Sequence, residues 1–483
     1  MTNNFNSKYF IIFAIGFSLF FGVILRLYNL NYDSLWFDEI SSFWVSDPFI
    51  SFSESYERNR LAESQPFLFN YLLKLTHEFF GYKSYVGRYF AATFGILSII
   101  SVTYLSRQLK KNNSFLLVAF LVSFNVFLIK YSQEARVYSF LFFLCSLSII
   151  FLVKAFKSYD SKKNLFSNTF LYILFQSLAF LTNPFALIFF FSLIAYYFFY
   201  YLKYKKNLVF LNYAILILLI FLAIYLPIYL REDQPFPYWL EQPNLKFFTN
   251  FYFSTFFGSR FLGLIHLILL LSLIFNFRNT VIKNINLITL LIIFIFLSYF
   301  TPLLYGWLNK PVMYSRYIIF VLIPIIIVFS YLIYEIKNKY IRNLIILTIV
   351  FLTLGNQFFE SNFKQFYEVR PKYKPDYYNS LKIIQDSDHK KYYINHNFQD
   401  RKKFWSDAFN NYFSVLLKEN NFILTQLSLD ELKKEKDYIW IICPKDLKKS
   451  TNCEKIRTKK LIKFKVSKDI NFNNVNVKLI KLK

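Results

Sequence analysis

The sequence predicts a polytopic α-helical membrane protein that ends in a small soluble α/β domain. Three observations carry this. Of 483 residues 55% are hydrophobic and 22% aromatic, with 64 Phe and 38 Tyr, far more than the core of a soluble domain needs. Apolar segments of about twenty residues, the length that crosses a hydrocarbon core of about 30 Å as a helix, recur from Phe10 to Phe359. Beyond residue 360 they stop, and short β-like runs take their place.

Eleven spans are read, at 9–28, 86–106, 114–130, 136–154, 165–182, 184–202, 207–230, 260–277, 285–304, 317–335 and 343–360. The first lacks a small-residue cleavage site and is followed by further spans, so it is read as a retained helix rather than a signal peptide. The loops alternate in character. RQLKK (107–111), KAFKSYDSKKN (154–164), KYKK (203–206), FRNTVIK (277–283) and EIKNKYIRN (335–343) are basic. Residues 29–65, YSQEAR (131–136), REDQPFPYWLEQPN (231–244) and YGWLNKPVMYSR (305–316) are longer or contain acids. By the positive-inside rule the basic set is cytoplasmic, which places the N-terminus inside and the C-terminal domain on the periplasmic or extracellular side.

The segment PFLFNYLLKLTHEFFG (66–81) needs separate treatment. Its roughly 14 helical residues reach only about 21 Å, too short to cross. Asn70, Lys74, His77 and Glu78 share one face, so a helix lying in the outer interface is expected, within a first outer loop of 29–85. The expected domains are a membrane domain, 1–360, and a soluble outer-face domain, 361–483. In the latter LKIIQDSD, KYYINHN, NNFILTQ, DYIWIICP, LIKFKV and VNVKLIKL read as β-like, and FWSDAFNNYFSVLLKEN (404–420) as a helix.

The net charge of +27 does not indicate nucleic acid as a partner. Residues 361–483 hold 27 Lys/Arg against 14 Asp/Glu, scattered without an aromatic-rich binding motif, and the first 360 hold 29 against 15, clustered in the basic loops. Cys145 lies in an apolar run as packing; Cys443 and Cys453 could pair in an oxidising compartment, but two cysteines make no framework.

Within the spans charge is almost absent, His266 being the main ionisable exception. Ion-coupled transporters keep charges at the midplane and often break their helices with Gly or Pro; neither is read here. Ionisable groups gather instead at the outer mouth: Asp38, Glu39, Arg88, Glu134, Arg136 and Arg316, with Gln65 as a polar companion. A carboxylate can take the proton of an acceptor hydroxyl. Arginines fork onto phosphate oxygens, and apolar helix faces can hold a long lipid. Together these suit transfer of a group from a lipid-linked phosphate to a hydroxyl, and no GxxxxGK[ST] motif for ATP occurs. No His/Cys cluster marks a structural metal; carboxylates leave a divalent ion open, and no cofactor is otherwise indicated.

NLNYDSLWFDEI (29–40), ESQPFLFNYLLKLTHEFFG (63–81), YVGRYFAATFGILSII (85–100), YSQEARVYSF (131–140) and MYSRYIIFVLIP (313–324), in this order, resemble the bacterial relatives of protein O-mannosyltransferases and aminoarabinose transferases. These are C-type glycosyltransferases that use lipid-phosphate sugars. The resemblance covers residues 9 to about 335. It implies Asp38 as catalytic base, Glu39 as its acidic support and Glu134 as the second-loop acid. It implies Arg316, Tyr317, Arg136 and Arg88 toward the donor phosphate. Two positions depart from the pattern. Gln65 precedes Pro66 where relatives acting on lipid A carry lysine, and Asn183 in LTNPFA stands where many carry histidine; both bear on the acceptor class.

The expected function is therefore a glycosyltransferase of the bacterial inner membrane. It would move a sugar from a polyprenyl-phosphate donor to a hydroxyl of an envelope glycan, lipid or protein, with inversion. A transporter or flippase of lipid-linked sugars, and an envelope oligosaccharide polymerase or ligase, are the alternatives. The transporter fits a charge-free interior poorly, and the polymerase or ligase would place its functional residues in a large late outer loop.

Overall fold

The computed structural model describes residues 2–110, 112–159, 161, 163–229, 240–278, 286–360, 374–395, 404–444 and 462–482. Expectations that fall on 231–239, 279–285, His396 and Cys453 lie outside these.

Twenty α-helices and five strands follow one another among the described residues. They are α1 (Thr2–Leu27), α2 (Phe37–Val45), α3 (Phe52–Ala62), α4 (Leu68–Phe80), α5 (Val86–Leu109), α6 (Ser114–Phe124), α7 (Val126–Ser132), α8 (Tyr138–Ser158), α9 (Leu165–Phe180) and α10 (Leu187–Tyr204). Next come α11 (Val209–Tyr229), α12 (Leu245–Asn250), α13 (Phe253–Phe257), α14 (Arg260–Asn276), α15 (Leu287–Leu308), α16 (Leu322–Tyr334) and α17 (Lys339–Glu360). The last part holds α18 (Tyr377–Asp386), β1 (Lys391–Ile394), α19 (Phe404–Glu419), β2 (Thr425–Gln426), α20 (Leu429–Lys434), β3 (Ile439–Pro444), β4 (Phe464–Phe472) and β5 (Val475–Leu482). Each of the eleven expected spans coincides with a helix or helix pair. Among the described residues seven are long and apolar enough to cross a membrane, the bent pair α6–α7 makes an eighth, and Leu165–Phe180, Arg260–Asn276 and Ile319–Tyr334 are shorter.

The chain separates into two compact units. One unit holds Met1–Tyr28, Ser64–Phe69 and Phe90–Val369; the other holds Asn29–Glu63, Asn70–Tyr89 and Arg370–Lys483. The first loop therefore belongs with the C-terminal segment rather than with the spans.

In the first unit the span expected at 114–130 is not straight. α6 and α7 meet at a 53° bend centred on Asn125, whose ψ of 115° is extended and whose side chain accepts the Leu128 N–H to start α7. A helix ending inside a lipid-embedded bundle leaves carbonyls that water cannot reach. Arg26, fully buried on α1, donates to the carbonyls of Val122 and Ser123 at 3.0 Å each, and Gln357 of α17 donates to that of Phe124. The expectation of unbroken, nearly charge-free spans fails here because the charge serves the break. Gly95 lets α5 approach α7 closely: a Cβ there would clash with Ser132 Oγ. His266 is a core histidine, donating Nδ1–H to the Leu262 carbonyl at 2.8 Å and stacked on Phe257 with ring centres 3.9 Å apart.

In the second unit the sheet order is β2-β1-β3-β5-β4, parallel for β2-β1-β3 and antiparallel for β3-β5-β4. Every residue of β3 is buried, as expected for a strand covered on both faces. Ile439, Ile441 and Cys443 pack with Leu427, Leu432 and Ile480. Cys443 is disulfide-bonded, and Cys145 is a buried free thiol. LKIIQDSD, expected as a β-like run, belongs instead to α18. Asp376 caps its start by accepting the Asn379 N–H, and the buried Tyr377, Leu381 and Ile384 recur at helical spacing.

Candidate active site

The residues singled out from the sequence divide between the two units. In the second unit α2 carries the carboxylate pair. It begins after Trp36, whose backbone is extended, and Glu39 Oε2 accepts the Trp36 N–H at 3.3 Å. Both acids stand in the first turn, where the helix dipole favours negative charge. Successive helical residues point about 100° apart, so the two acids meet different surroundings. Glu39 is fully buried; Asp38 is partly exposed.

Arg88 directs all five of its N–H donors into the protein. Nε and one Nη2 hydrogen meet the two Glu39 oxygens at 2.9 and 2.7 Å. The rest meet the carbonyls of Leu30, Asp33 and Ser34 at 2.7, 2.6 and 3.0 Å. This guanidinium is committed to the loop and to Glu39. Lys374 adds a second cation, with Nζ 2.9 Å from Glu39 Oε2. Lys374 was not singled out in the sequence as a site residue.

The other end of α2 is held as closely. A helix C-terminus leaves orphan carbonyls, and here side chains meet them in turn. Tyr82 Oη donates to Phe43 at 2.9 Å, Arg58 to Trp44 at 3.0 Å, and Ser55 to Val45 at 2.6 Å. His77 donates to the Ser46 carbonyl at 3.1 Å and Lys74 to that of Asp47 at 2.8 Å. The expected helix at 66–81 is present as α4. Its Asn70, Lys74 and His77 face is buried, serving α2 and, through Asn70 to Asn59 Oδ1 at 2.7 Å, α3. Phe79 and Phe80 are exposed, and Gly81, at φ +90°, ends the helix in the left-handed region.

Burial pushes the His77 imidazole down to about 4, with Lys74 adding to the shift and the Ser46 carbonyl opposing it. A neutral folded histidine stabilises the unit above its unfolded pKa of about 6.5, and that stability is lost as pH falls from about 6.5 toward 4. The expected loss is about 3 kcal/mol. Thermal unfolding followed from pH 7 to pH 4 checks this: His77→Gln should flatten the dependence, and an unchanged slope would exclude His77 as its source.

The C-terminal segment grips the same loop. Trp405 stacks on Phe37 with ring centres 3.5 Å apart, and Tyr412 Oη accepts the Leu35 N–H at 3.0 Å. Asn411 donates to Asp47 Oδ2 at 3.2 Å, and Glu419 accepts from the Ser84 N–H and hydroxyl at 2.8 Å each.

In the first unit Glu134 and Arg136 are buried in the turn between α7 and α8, where the Arg136 N–H donates to the Glu134 carbonyl at 2.7 Å. Arg316 is buried among tyrosines, its guanidinium carbon 5.6 Å from the Tyr138 ring centre, 5.4 Å from Tyr314 and 5.6 Å from Tyr317. Such contacts orient a cation at about 0.5–2 kcal/mol each. Tyr317 lies 5.5 Å from Phe185, which follows Asn183 in a short 3-10 turn. Asn183 donates to Gln65 Oε1 at 2.6 Å, so the two positions that depart from the family pattern are hydrogen-bonded to each other. Tyr138 and Tyr314 were not singled out in the sequence; in a chain with 38 Tyr nothing marks these two. Among the described residues no three His, Cys, Asp or Glu side chains form a group able to hold a metal ion.

Residues 64–229 match the family model described as dolichyl-phosphate-mannose-protein mannosyltransferase. Among solved structures the chain is similar to ArnT from Cupriavidus metallidurans in the apo state, at 10% identity, covering 98% of both chains with a TM-score of 0.58. It is also similar to the same protein bound to undecaprenyl phosphate, at 10% identity over 97% of this chain and 98% of that one, with a TM-score of 0.55. The archaeal oligosaccharyltransferase AglB from Archaeoglobus fulgidus, in complex with an inhibitory peptide and a dolichol-phosphate, aligns at 12% identity over 90% of this chain and 69% of its own, with a TM-score of 0.50. No curated protein matches in sequence. The chain shares its multi-pass helical fold with ArnT from Cupriavidus metallidurans.

Proposed function

We propose that this chain is a membrane glycosyltransferase that moves a sugar from a polyprenyl-phosphate donor to a hydroxyl acceptor of an envelope glycan, lipid or protein. The carrying observation is the unequal carboxylate pair on α2. Glu39 is buried against Arg88 and Lys374, whereas Asp38, one residue away on a helix held at both ends, is partly exposed. Asp38 takes the proton of the acceptor hydroxyl. The acceptor oxygen then bonds to the anomeric carbon as the bond from that carbon to the phosphate oxygen breaks; the lipid phosphate leaves with the electron pair, and the configuration inverts. Arg316, ordered by its tyrosines, neutralises the phosphate, and the resemblance assigns Tyr317 and Arg136 to the same donor phosphate and Glu134 as the second-loop acid. Gln65 and Asn183 act as a pair in substrate choice.

The donor class is supported by the undecaprenyl phosphate of one structural neighbour and the dolichol-phosphate of another. The disulfide at Cys443 supports an oxidising outer face for the second unit. That agrees with a bacterial inner-membrane protein whose N-terminus is cytoplasmic. The test supplies purified protein in vesicles with labelled polyprenyl-phosphate sugars and envelope extracts. Label appearing on a hydroxyl acceptor is the expected result. Lipid-linked sugar crossing the vesicle without transfer would overturn the reading in favour of a transporter.

A further inference from the structure

We propose that Lys374 is a positioning residue for the carboxylate pair on α2, which makes the C-terminal segment a working part of the site rather than an appended domain. The inference rests on the reading of Asp38 as the base.

Charge balance is the starting point. Glu39 and Arg88 already neutralise each other, with both carboxylate oxygens engaged. A second cation is not needed to pair a carboxylate whose two oxygens are already met, and bringing an ammonium there costs hydration. Lys374 is nonetheless brought in, its side chain 16% exposed and its Nζ on Glu39 Oε2. The same Oε2 accepts the Trp36 N–H that opens α2, so Lys374 acts on the turn that carries Asp38.

The lysine is itself fixed by the sheet. Asn473, in the turn between β4 and β5, donates Nδ2 to the Lys374 carbonyl at 2.9 Å, and its own carbonyl accepts the Asp376 N–H at 3.0 Å. Asn474 completes that turn at φ +52°, a conformation asparagine tolerates. The order of support runs from hairpin turn to Lys374, to Glu39, to the first turn of α2. Trp405 against Phe37 and Tyr412 on the Leu35 N–H bring two more residues of this segment to the same turn. Among the described residues, the charged and titratable groups around it include Arg88 of α5, Asp33 of the preceding loop, Tyr412 of α19 and Lys374. Counting Glu39 and Asp33 against Arg88, Lys374 brings these groups to neutrality; without it they carry one net negative charge, which disfavours a further charge on the same turn.

The test compares the full chain with Lys374→Met and Lys374→Arg. For Lys374→Met the transfer kcat should fall roughly tenfold with the donor KM unchanged. The acid limb of the pH–rate profile should move to higher pH, because the base loses a cation that favours its charged form. Lys374→Arg should restore the limb. Hydrogen exchange of residues 37–45 should quicken in Lys374→Met, a readout independent of transfer. A wild-type rate and profile in Lys374→Met, or unchanged exchange across 37–45, overturns the proposal. If the wild type transfers no sugar, the glycosyltransferase reading fails, and the exchange comparison alone decides whether Lys374 holds α2.

Discussion

Asp38→Asn is expected to lower sugar transfer by about 10²–10⁴-fold, the usual contribution of a general base, with little change in donor KM or unfolding temperature. The side chain keeps its shape and loses only the charge, and Asp38 is partly exposed, so folding should not depend on it. Glu39→Gln should behave otherwise. Glu39 is fully buried and accepts from Arg88, Lys374 and the Trp36 N–H. Neutralising it leaves two cations facing an amide, and breaking a buried pair costs about 3–5 kcal/mol. The expected result is a loss of activity together with a lower unfolding temperature. Steady-state kinetics on both variants, beside thermal unfolding in the same detergent, separate the two roles. A folded, inactive Glu39→Gln beside a fully active Asp38→Asn would move the base to Glu39.

The contrast between these neighbours was only half legible in the sequence. WFDE announces an acid pair, but Trp36 is not a helix-capping type, so nothing indicated that Asp38 and Glu39 open a helix and point apart. The spans were legible because lipid requires every backbone group to be satisfied within the segment, which demands long uniform runs. The same uniformity hid the break at Asn125: SFLLVAFLVSFNVFLIKYS is apolar on both sides of it. Its partners Arg26 and Gln357 come from helices nearly 100 and more than 230 residues away. The tie between the first loop and the C-terminal segment was illegible for a related reason. Glu39 and Lys374 are 335 residues apart, and no periodicity records such a pairing. LKIIQDSD misled because its Ile-Ile pair favours strands, whereas burial of Tyr377, Leu381 and Ile384 together selects the helix.

Arg88 is where the sequence reading and the structure differ most, and a conservative substitution distinguishes them. A phosphate-binding arginine replaced by lysine keeps its charge; Arg88→Lys would then fold normally and chiefly raise the donor KM. The geometry leads to the opposite expectation. Five N–H groups serve five oxygens, three of them backbone carbonyls of Leu30, Asp33 and Ser34, and an ammonium offers three donors without the planar fork. At least two buried acceptors therefore lose their partner, at about 1–3 kcal/mol each. Arg88→Lys should lower the unfolding temperature and quicken hydrogen exchange across 30–39, and Arg88→Ala should do so more strongly by removing both of its hydrogen bonds to the buried Glu39. Combined with Glu39→Gln, Arg88→Ala should cost less than the two single losses added, since residues within one network couple by about 0.5–3 kcal/mol. A folded Arg88→Lys whose only defect is a raised donor KM would return the residue to the phosphate. Because the loop it holds carries α2, loss of Arg88 is expected to lower transfer as Asp38→Asn does, but together with the unfolding temperature.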